Sequence, residues 1–440
     1  MKDFAQLAQW VSISDAPADL ASHSSDISGH FPHRAQVIAY PESTDQISKI
    51  LKWANAANVP VTPWGAGTSA EGNPIPVRGG ICLSLERMQR VLEVSLEDRL
   101  AVVQAGVKHR ELNRQLSGSG WHFAVSVGGD ASIGGMIANN AAGPKAVKYG
   151  SMKSHVLGLE VVLADGRVIR TGGRSAKQSC GYNLTQLFTG SEGTLGVISQ
   201  AIVRLTPEPD CAEALVAQFS TVADALRCAS ALGGLDAGAI EFLDKAYMGF
   251  LGEFAADTLF CEFHRPGDGA EAERRCWAAA ATAVLRATEA SERARLWLAR
   301  LRAYTASAEA NPESRMLTTD TAVPVGKLQE MVSFLQQELL RRGLTGYLLG
   351  HAGDGNVHVI LPWRDESQRQ AVNEFSAAAV EKSLALGGTA SGEHGVGIGK
   401  RSYLEQEHGS ASVGLMREIK SLLDPRGILN PGKLLPDSNE

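Results

Sequence analysis

The spacing of hydrophobic and polar residues changes along the chain and predicts different elements in different stretches. Between residues 43 and 58, apolar side chains recur as on one face of a helix, at Ile47, Ile50, Leu51 and Ala54. Ser43 and Gln46 form a capping box at the start of this predicted helix. Short apolar runs predict strands at 36–40, 59–64, 81–85, 100–104 and 157–163.

The pattern changes after a proline-containing segment. Residues 204–211, RLTPEPDC, contain two prolines and are typical of a linker. Beyond them, Ala-rich helical patterns cover about 270–308, 324–342 and 366–386, and the strand-like segments TLFCEFH and TGYLLGH also occur. Because helices and strands do not alternate strictly, we expect an α+β second domain.

Composition narrows the class of protein. A chain of 440 residues exceeds the usual size of a single core, so two domains are expected. The net charge of −6, without a basic block, argues against a nucleic-acid partner. The first twenty residues lack the apolar core of a signal peptide, and no apolar run approaches the ~18 residues of a membrane span. Six cysteines without a CxxC motif indicate reduced thiols and a cytoplasmic location.

The 46 glycines are concentrated in loops. Residues 65–70, GAGTSA, match the dinucleotide fingerprint, but the two prolines of the following EGNPIP do not open the helix that this fingerprint requires. The loop could hold a phosphate through backbone N–H groups, and considered alone it is explained equally well as a tight structural turn. Two further loops, 128–143 and 181–198, are rich in small residues. Three such loops predict an extended cofactor bound along the main chain.

Two of the 11 histidines, His351 and His358, flank a Gly-Asp-Gly turn in the stretch GHAGDGNVHV. If YLLGH and VHVIL form a hairpin, a six-residue turn places them opposite each other, close enough to share one metal. The alternative is that one histidine caps the turn and the other is exposed. The later stretch GGTASGEHGVGIGK adds Glu393 and His394. Two histidines and one carboxylate, with coordination positions left open, suit Zn²⁺ or Mn²⁺.

Arg300 interrupts an apolar helix face in the segment SERARLWLARLRAY. That face is formed by Leu296, Trp297, Leu301 and Tyr304, and no residue three or four positions from Arg300 supplies a carboxylate. A buried guanidinium without a partner is costly. A substrate carboxylate, an ion pair with another segment, or extension of the side chain to water would each satisfy it.

Together these segments resemble a known family of flavoproteins. The loops 63–73, 128–150 and 190–198, in this order, are similar to the PCMH-type FAD-binding domain of the vanillyl-alcohol-oxidase superfamily. The downstream segments IEFLD, LWLAR, GHAGDGNVH, SGEHGVGIGK and DPRGILNPGK resemble its D-lactate dehydrogenase and glycolate oxidase branch. The resemblance spans roughly residues 35–435.

The resemblance implies an α+β fold with separate FAD-binding and substrate domains. An FAD-binding domain of two α+β subdomains is expected at 1–208, and an α+β cap domain with an antiparallel sheet and the metal site at 209–420. The segment 421–440 is expected to return to the FAD-binding domain. Some relatives carry a histidine in the first loop that is bonded to the flavin, whereas this chain has Thr68, so its FAD should be non-covalent.

The resemblance also implies the functional residues. His351, His358 and Glu393 would bind the metal, and His394 would be the catalytic base. Arg300 would bind the substrate together with Tyr304, His351, His358 and His394. The residues expected to contact FAD are Pro63, Trp64, Gly65, Ala66, Gly67, Thr68, Ser69, Gly72, Asn73, Gly129, Asp130, Ala131, Ile133, Gly134, Gly135, Ala138, Asn139, Asn140, Gly143, Tyr149, Gly150, Glu192, Gly193, Gly196, Val197, Ile198 and Asn430.

The implied activity is FAD-dependent oxidation of a D-2-hydroxy acid to the 2-oxo acid, with an electron acceptor other than NAD. D-lactate is favoured over D-2-hydroxyglutarate because Ile360 and Thr318 stand where 2-hydroxyglutarate relatives have an asparagine and a lysine. Leu301 departs from the histidine that is common in lactate relatives, and a glycolate oxidase FAD subunit or a metallohydrolase are alternatives. The acceptor would be a cytochrome, a quinone or an electron-transfer flavoprotein. Membrane contact would be at most peripheral, at the inner membrane.

Overall fold

The computed structural model describes residues 4–250, 252 and 255–436, except for the side chains of residues 303 and 304. The chain divides into two compact units. The first unit contains the residues up to 142, residues 151–208 and the residues from 393 onward. The second unit contains residues 143–150 and 209–392. Within the described ranges, no helix has both the length and the apolarity needed to cross a membrane.

Helices and strands are mixed between residues 4 and 208. The helices are α1 (Pro17–Ser22), α2 (Thr44–Ala57), α3 (His109–Leu116), α4 (Ile133–Asn139), α5 (Ala146–Tyr149) and α6 (Leu184–Phe188). The strands are β1 (Ser12–Ser14), β2 (Val37–Tyr40), β3 (Val61–Trp64), β4 (Ile81–Ser84), β5 (Val91–Ser95), β6 (Leu100–Gln104), β7 (Trp121–His122), β8 (Val156–Val162), β9 (Val168–Gly172), β10 (Val197–Arg204) and β11 (Thr206–Pro207).

The helices are longer in the rest of the chain. They are α7 (Val222–Ala231), α8 (Lys245–Met248), α9 (Asp268–Ala278), α10 (Ala290–Glu309), α11 (Leu328–Arg342), α12 (Glu366–Ala385), α13 (Leu404–His408) and α14 (Ser410–Leu423). The strands are β12 (Glu213–Phe219), β13 (Ala237–Leu243), β14 (Asp257–Phe263), β15 (Ala283–Ala287), β16 (Arg315–Thr318), β17 (Thr321–Ala322), β18 (Tyr347–His351) and β19 (Asn356–Trp363). Short 3₁₀ turns lie at Phe4–Gln9, Met152–Ser154, Val325–Lys327 and Arg401–Tyr403.

Two sheets form the framework of the first unit. One has the order β1-β2-β4-β3, with β2, β4 and β3 parallel, and the other is antiparallel with the order β5-β6-β10-β8-β9. The predicted apolar face of α2 is confirmed, since all four of its residues are fully buried in the core. The Ser43 hydroxyl accepts the Gln46 N–H at 3.4 Å, and Asn58, with φ of 51°, ends the helix in the left-handed conformation.

The described strands of the second unit form an antiparallel sheet in the order β15-β12-β14-β13-β18-β19-β16, with β17 also paired to β19. Side chains alternate between its two faces. One face joins a core to which α7, α9, α11 and α12 contribute. The other face packs against α8 and α10, and its apolar side chains include Phe260, Leu349 and Ile360. The pairing of Glu241 with Phe260 and with His351 places both polar residues on this second face.

Two features differ from the sequence prediction. The continuous helical stretch predicted at 270–308 is wrong, because β15 interrupts it and pairs with β12. The second unit also ends at residue 392, not at 420, and takes up residues 143–150. Residues after 393 join the first unit through backbone hydrogen bonds, such as Ile398 N–H to the Glu71 carbonyl at 2.8 Å. Helix α5 instead packs against β13 of the second unit.

Candidate active site

The two histidines of the hairpin lie on one face of the second-unit sheet. Strands β18 and β19 pair as predicted, but His351 lies opposite Asn356 and His358 opposite Leu349. The predicted register is therefore wrong by two residues, which leaves both histidines on the same face. Their ring centroids are 5.4 Å apart, and one ring nitrogen of each lies within 4.8 Å of the other. Both side chains are buried.

Hydrogen bonds fix the tautomer of both rings. His358 Nδ1 lies 3.1 Å from the Thr319 carbonyl oxygen, which can only accept, so Nδ1 carries the proton. His351 Nδ1 lies 2.7 Å from Glu241 Oε1. Each Nδ1–H bond makes Nε2 the basic nitrogen of its ring, which is the arrangement found in metal-binding histidines. The donor set of the second unit therefore fits a divalent metal.

Asp320 is a buried acid at this site that the sequence analysis missed. It is fully buried, and its Oδ1 lies 3.8 Å from His358 Nδ1. Its carboxylate accepts Asn356 Nδ2–H at 2.8 Å and the Ser391 hydroxyl at 2.9 Å. Asn356 also donates to the Thr321 carbonyl, so it ties β19 to the neighbouring segment. No sequence motif around Asp320 indicates that this acid lies beside His358.

Arg300 has a protein partner in the structure. Helix α10 places its guanidinium against Glu241 of β13, with Nη2 and Nε at 2.6 Å and 3.1 Å from Glu241 Oε2. The ion pair with another segment, one of the alternatives predicted, is therefore present. The two bonds use two of the five N–H donors of the guanidinium. Tyr304 lies on the same helix, but its side chain is outside the described part of the chain.

Glu241 remains ionised at the centre of this cluster. Burial would raise the pKa of its carboxyl, but the charges and hydrogen bonds of His351 and Arg300 outweigh burial and hold the pKa below its ordinary value. One oxygen accepts from the histidine and the other from the arginine. The signal that could have found it is an acid inside the apolar strand AGAIEFL.

The glycine-rich loops of the first unit converge. A side chain at Gly65 would clash with the Ser132 hydroxyl at 2.4 Å, so the first loop packs directly on the second. The third loop joins the second through Gly190 N–H to Ile137 carbonyl and Glu192 N–H to Ala138 carbonyl bonds of 2.9 Å and 2.8 Å. Residues 128–130 are exposed and residues 65–70 are half-buried. The loops therefore present accessible main chain with small side chains, which fits an extended cofactor.

Apart from Asn430, the predicted cofactor residues of the first unit lie on these loops or at the ends of the elements that carry them. Pro63 and Trp64 end β3, Ile133, Gly134, Gly135, Ala138 and Asn139 form part of α4, and Val197 and Ile198 begin β10. Gly143, Tyr149 and Gly150 belong instead to the second unit, where the Tyr149 hydroxyl lies 3.3 Å from His264 Nδ1.

Glu192 lies beneath the loops rather than on their accessible side. Its carboxylate accepts Asn73 Nδ2–H at 2.6 Å and the N–H groups of Val396 and Gly397 at 2.6 Å and 2.9 Å. Burial raises the pKa of this carboxyl, although these hydrogen bonds oppose the shift. Glu192 therefore joins the first loop to the segment that follows Glu393. Its contact with FAD stays a prediction.

The C-terminal segment is bonded to the first and third glycine-rich loops. Asn430 Nδ2–H donates to the carbonyls of Asn73 and Glu192 at 3.0 Å and 2.7 Å. Lys433, which the sequence analysis missed, donates to the Ile75 carbonyl at 2.5 Å. Burial lowers the pKa of Lys433 to about 7, although the charges of Glu192 and Asp26 act in the opposite direction.

Glu393 and His394 begin the segment that returns to the first unit. The His394 carbonyl accepts Asn139 Nδ2–H at 3.2 Å, so α4 and this segment are joined. Glu393 follows Gly392, and a side chain at Gly392 would clash with Asn356 and Asp320 of the second unit at 2.1 Å and 2.7 Å. Gly392, the last residue of the second unit, therefore lies against the first residue of β19.

Comparisons with known proteins identify two family matches. A family described as FAD linked oxidases, C-terminal domain, matches residues 208–434. A family described as FAD binding domain matches residues 35–172. The two matches together cover the first two glycine-rich loops and the histidine hairpin.

Curated relatives are similar over nearly their whole length. A probable mitochondrial D-lactate dehydrogenase of Danio rerio is 36% identical, with 96% of this chain and 89% of the relative covered. The glycolate oxidase subunit GlcD of Bacillus subtilis is 33% identical, with 96% and 93% covered.

A solved structure has the same fold. The 4-ethylphenol oxidase of Gulosibacter chungangensis, in its isoeugenol complex, superposes with a TM-score of 0.80 at 18% identity. The match covers 99% of this chain and 97% of the other. The predicted α+β fold with a PCMH-type FAD-binding domain is thereby confirmed.

Proposed function

The chain belongs to the family of FAD-linked oxidases, and we propose that it is an FAD-dependent D-2-hydroxy acid dehydrogenase that prefers D-lactate. The observation that carries the proposal is the cluster in which Arg300, Glu241 and His351 are joined by hydrogen bonds beside His358. This cluster combines a guanidinium that can bind a carboxylate with imidazoles that can bind a metal. A 2-hydroxy acid has both of the groups that such a site would recognise.

Arg300 would hold the carboxylate of the substrate. Its ion pair with Glu241 uses Nε and one Nη2 donor, so the guanidinium retains donors for a second carboxylate. Glu241 also keeps the planar group in one orientation, which reduces the entropy lost when the substrate binds.

His351, His358 and Glu393 would hold a divalent metal, Zn²⁺ or Mn²⁺. When bound, such a metal would act as a Lewis acid toward the substrate hydroxyl. The Nδ1–H bonds of the two histidines keep Nε2 as the basic nitrogen, so both rings are prepared for this role without rearrangement.

His394 would act as the general base that removes the hydroxyl proton. The bond between its carbonyl and Asn139 ties the segment to the glycine-rich loops. When bound non-covalently along these loops, FAD would accept the hydride from the α-carbon. The 2-oxo acid would leave, and a cytochrome, a quinone or an electron-transfer flavoprotein would reoxidise the flavin, at most through peripheral contact with a membrane.

The pocket favours a small or apolar substrate side chain. Thr318 and Ile360, at the positions where 2-hydroxyglutarate relatives carry an ammonium and an amide group respectively, are cross-strand partners. Ile360 is 1% exposed and packs with Leu349 and Tyr347. A distal carboxylate would find no cation at either position. Glycolate is the second candidate substrate, because one relative is a glycolate oxidase subunit.

A substrate panel tests the proposal. D-lactate, L-lactate, glycolate and D-2-hydroxyglutarate would be oxidised by the holoenzyme with an artificial dye acceptor. We expect the highest kcat/KM for D-lactate, and His394→Ala should lower kcat by about 10²–10⁴. A holoenzyme that contains FAD and reduces it with none of the four acids would overturn the proposal.

A further inference from the structure

We propose that Glu241 is a positioning residue that makes substrate binding and metal binding depend on one carboxylate. This inference rests on the proposed function, in which Arg300 binds the substrate carboxylate and His351 binds the metal. Glu241 itself would touch neither ligand. It would fix the orientation of the guanidinium with one oxygen and that of the imidazole with the other.

The geometry of Glu241 divides its two oxygens between two partners. Oε2 lies 2.6 Å and 3.1 Å from Nη2 and Nε of Arg300, and Oε1 lies 2.7 Å from Nδ1 of His351. Glu241 and His351 are paired residues of β13 and β18, so the histidine contact is set by the register of the sheet. The side chain of Glu241 is fully buried. Bulk water therefore does not reach the carboxylate in the folded protein.

The two histidines are held in different ways, and this makes the role of Glu241 testable. His358 Nδ1 is bound by the backbone carbonyl of Thr319, which no side-chain substitution removes. His351 Nδ1 depends on the Glu241 side chain. Without the Glu241 carboxylate, the ring of His351 would no longer be held with its proton on Nδ1, whereas His358 would be unchanged. It would also leave Arg300 without the acceptor that orients it.

A second glutamate of the same sheet provides a matched control. Glu213 of β12 is 8% exposed and pairs with Arg286 of β15, with Arg286 Nη1 2.9 Å from Glu213 Oε2. It therefore shares with Glu241 a buried strand position and an arginine partner. Its side chain bonds to Arg286, and no histidine of the described part of the chain forms a hydrogen bond with it. Glu213→Gln would report the general effect of breaking a buried ion pair in this sheet.

The experiment compares Glu241→Gln, Glu241→Asp and Glu213→Gln in the full-length holoenzyme. Mn²⁺ affinity would be measured by calorimetry on metal-stripped, FAD-loaded protein, and KM and kcat for D-lactate would be measured separately. In Glu241→Gln, one amide oxygen cannot serve both donors, and the amide nitrogen would face a donor. We expect Mn²⁺ affinity to fall by about 10–100-fold and the KM for D-lactate to rise by about tenfold or more.

The other variants decide the interpretation. Glu241→Asp keeps the charge, but its shorter side chain should reach only one of the two partners, so either the Mn²⁺ affinity or the KM for D-lactate should change. Glu213→Gln should leave both constants within about twofold of wild type. Wild-type Mn²⁺ affinity and KM in folded Glu241→Gln would overturn the inference. If Glu241→Gln does not fold, Glu241→Asp decides. Wild-type Mn²⁺ affinity and KM in Glu241→Asp would overturn the inference, whereas weaker Mn²⁺ binding or a higher KM would support it. If the wild type oxidises no 2-hydroxy acid, the proposed function fails, but the Mn²⁺ titration still tests the link between Glu241 and the metal site.

Discussion

Two buried glutamates have opposite pKa shifts, and the difference follows from their partners. The Glu241 carboxyl has a lowered pKa because His351 and Arg300 outweigh burial. The Glu192 carboxyl has a raised pKa because burial dominates over neutral N–H donors and a Lys433 charge. Glu241 has an imidazole and a guanidinium as hydrogen-bond partners, whereas Glu192 accepts from two backbone N–H groups and an amide beneath the glycine-rich loops.

The raised pKa of Glu192 predicts a pH-dependent effect of Glu192→Gln. An acid whose folded pKa exceeds its ordinary value of 4.5 binds more protons when folded, so its contribution to stability falls as pH rises from 4.5 through the folded pKa. The variant lacks this titration. It also turns an NH₂ group toward N–H donors, which should cost about 1–3 kcal/mol. The advantage of the wild type should be larger at about pH 5 than at about pH 8.

Thermal or urea unfolding of both proteins at the two pH values measures this difference. Glu262→Gln is a useful comparison, because the Glu262 carboxyl has a pKa that is lowered overall although burial opposes the shift. Its loss should therefore not reproduce the same trend. An advantage of the wild type over Glu192→Gln that grows with pH would contradict the raised pKa.

At the scale of elements, the hairpin was predicted correctly but its register was not. The two registers differ by two residues, and a shift of two keeps every side chain on its face. The apolar pattern therefore could not distinguish them. The structure closes the turn over residues 352–355, with Asp354 N–H bonded to the His351 carbonyl at 2.9 Å and Gly355 at φ of 78°. The turn chemistry, rather than the strands, decides the register.

In the Ala-rich stretch at 270–308, the type of element itself was predicted wrongly. Alanine favours helices, so propensity alone extends the helix through residues 279–289. The structure instead breaks it at Ala280, with φ of 65°, and pairs Ala283–Ala287 with β12. Pairing with a strand more than sixty residues earlier is a long-range interaction that local propensity does not contain.

Gly355→Ala should destabilise the hairpin more than Gly343→Ala. Both glycines have positive φ, which should cost an alanine about 1–2 kcal/mol. A Cβ at Gly343 would meet nothing within 4 Å, whereas at Gly355 it would lie 2.0 Å from the Val323 carbonyl oxygen. The turn must therefore shift, at a further cost of about 1–3 kcal/mol.

Chemical denaturation and Mn²⁺ titration of the two variants separate these effects. Gly343→Ala should lose stability but bind Mn²⁺ as the wild type does, because Gly343 ends α11 away from the histidine turn. Gly355→Ala should lose stability and Mn²⁺ affinity together. Equal destabilisation of the two variants would show that the clash with the Val323 carbonyl adds nothing to the cost of Gly355→Ala.

At the scale of the whole molecule, the sequence identified residues that belong to motifs and missed residues that act through distant contacts. His351, His358 and Arg300 stand out because each is unusual in its local pattern. Asp320 and Lys433 are recognisable only after the fold brings Asn356 or Ile75 to them. The return of the chain to the first unit at residue 393 also depends on distant contacts, since Glu192 binds Val396 and Gly397.

Thr68 predicts that FAD is held by non-covalent contacts alone. The second loop lies against this residue, since a Cβ at Gly129 would be 3.4 Å from the Thr68 methyl. A threonine hydroxyl is not the imidazole that carries the flavin in covalently linked relatives. Acid precipitation should therefore release the yellow flavin into the supernatant, and absorbance of the supernatant and pellet measures the division. Flavin that stays with the pellet after washing would contradict the prediction.

Reversible binding has a further consequence for the stability of the molecule. A ligand at about 1,000 times its Kd adds about 4 kcal/mol to the free energy of unfolding, so FAD removal should lower Tm and reconstitution should restore it. Hydrogen exchange locates the effect. If FAD lies along the converging loops, amides within 65–73, 128–140 and 190–198 should lose protection on its removal. The hairpin at 347–363 should not change, because the bonds that hold it lie within the second unit. Equal loss of protection in the hairpin and in the loops would mean that FAD stabilises the protein through something other than these loops.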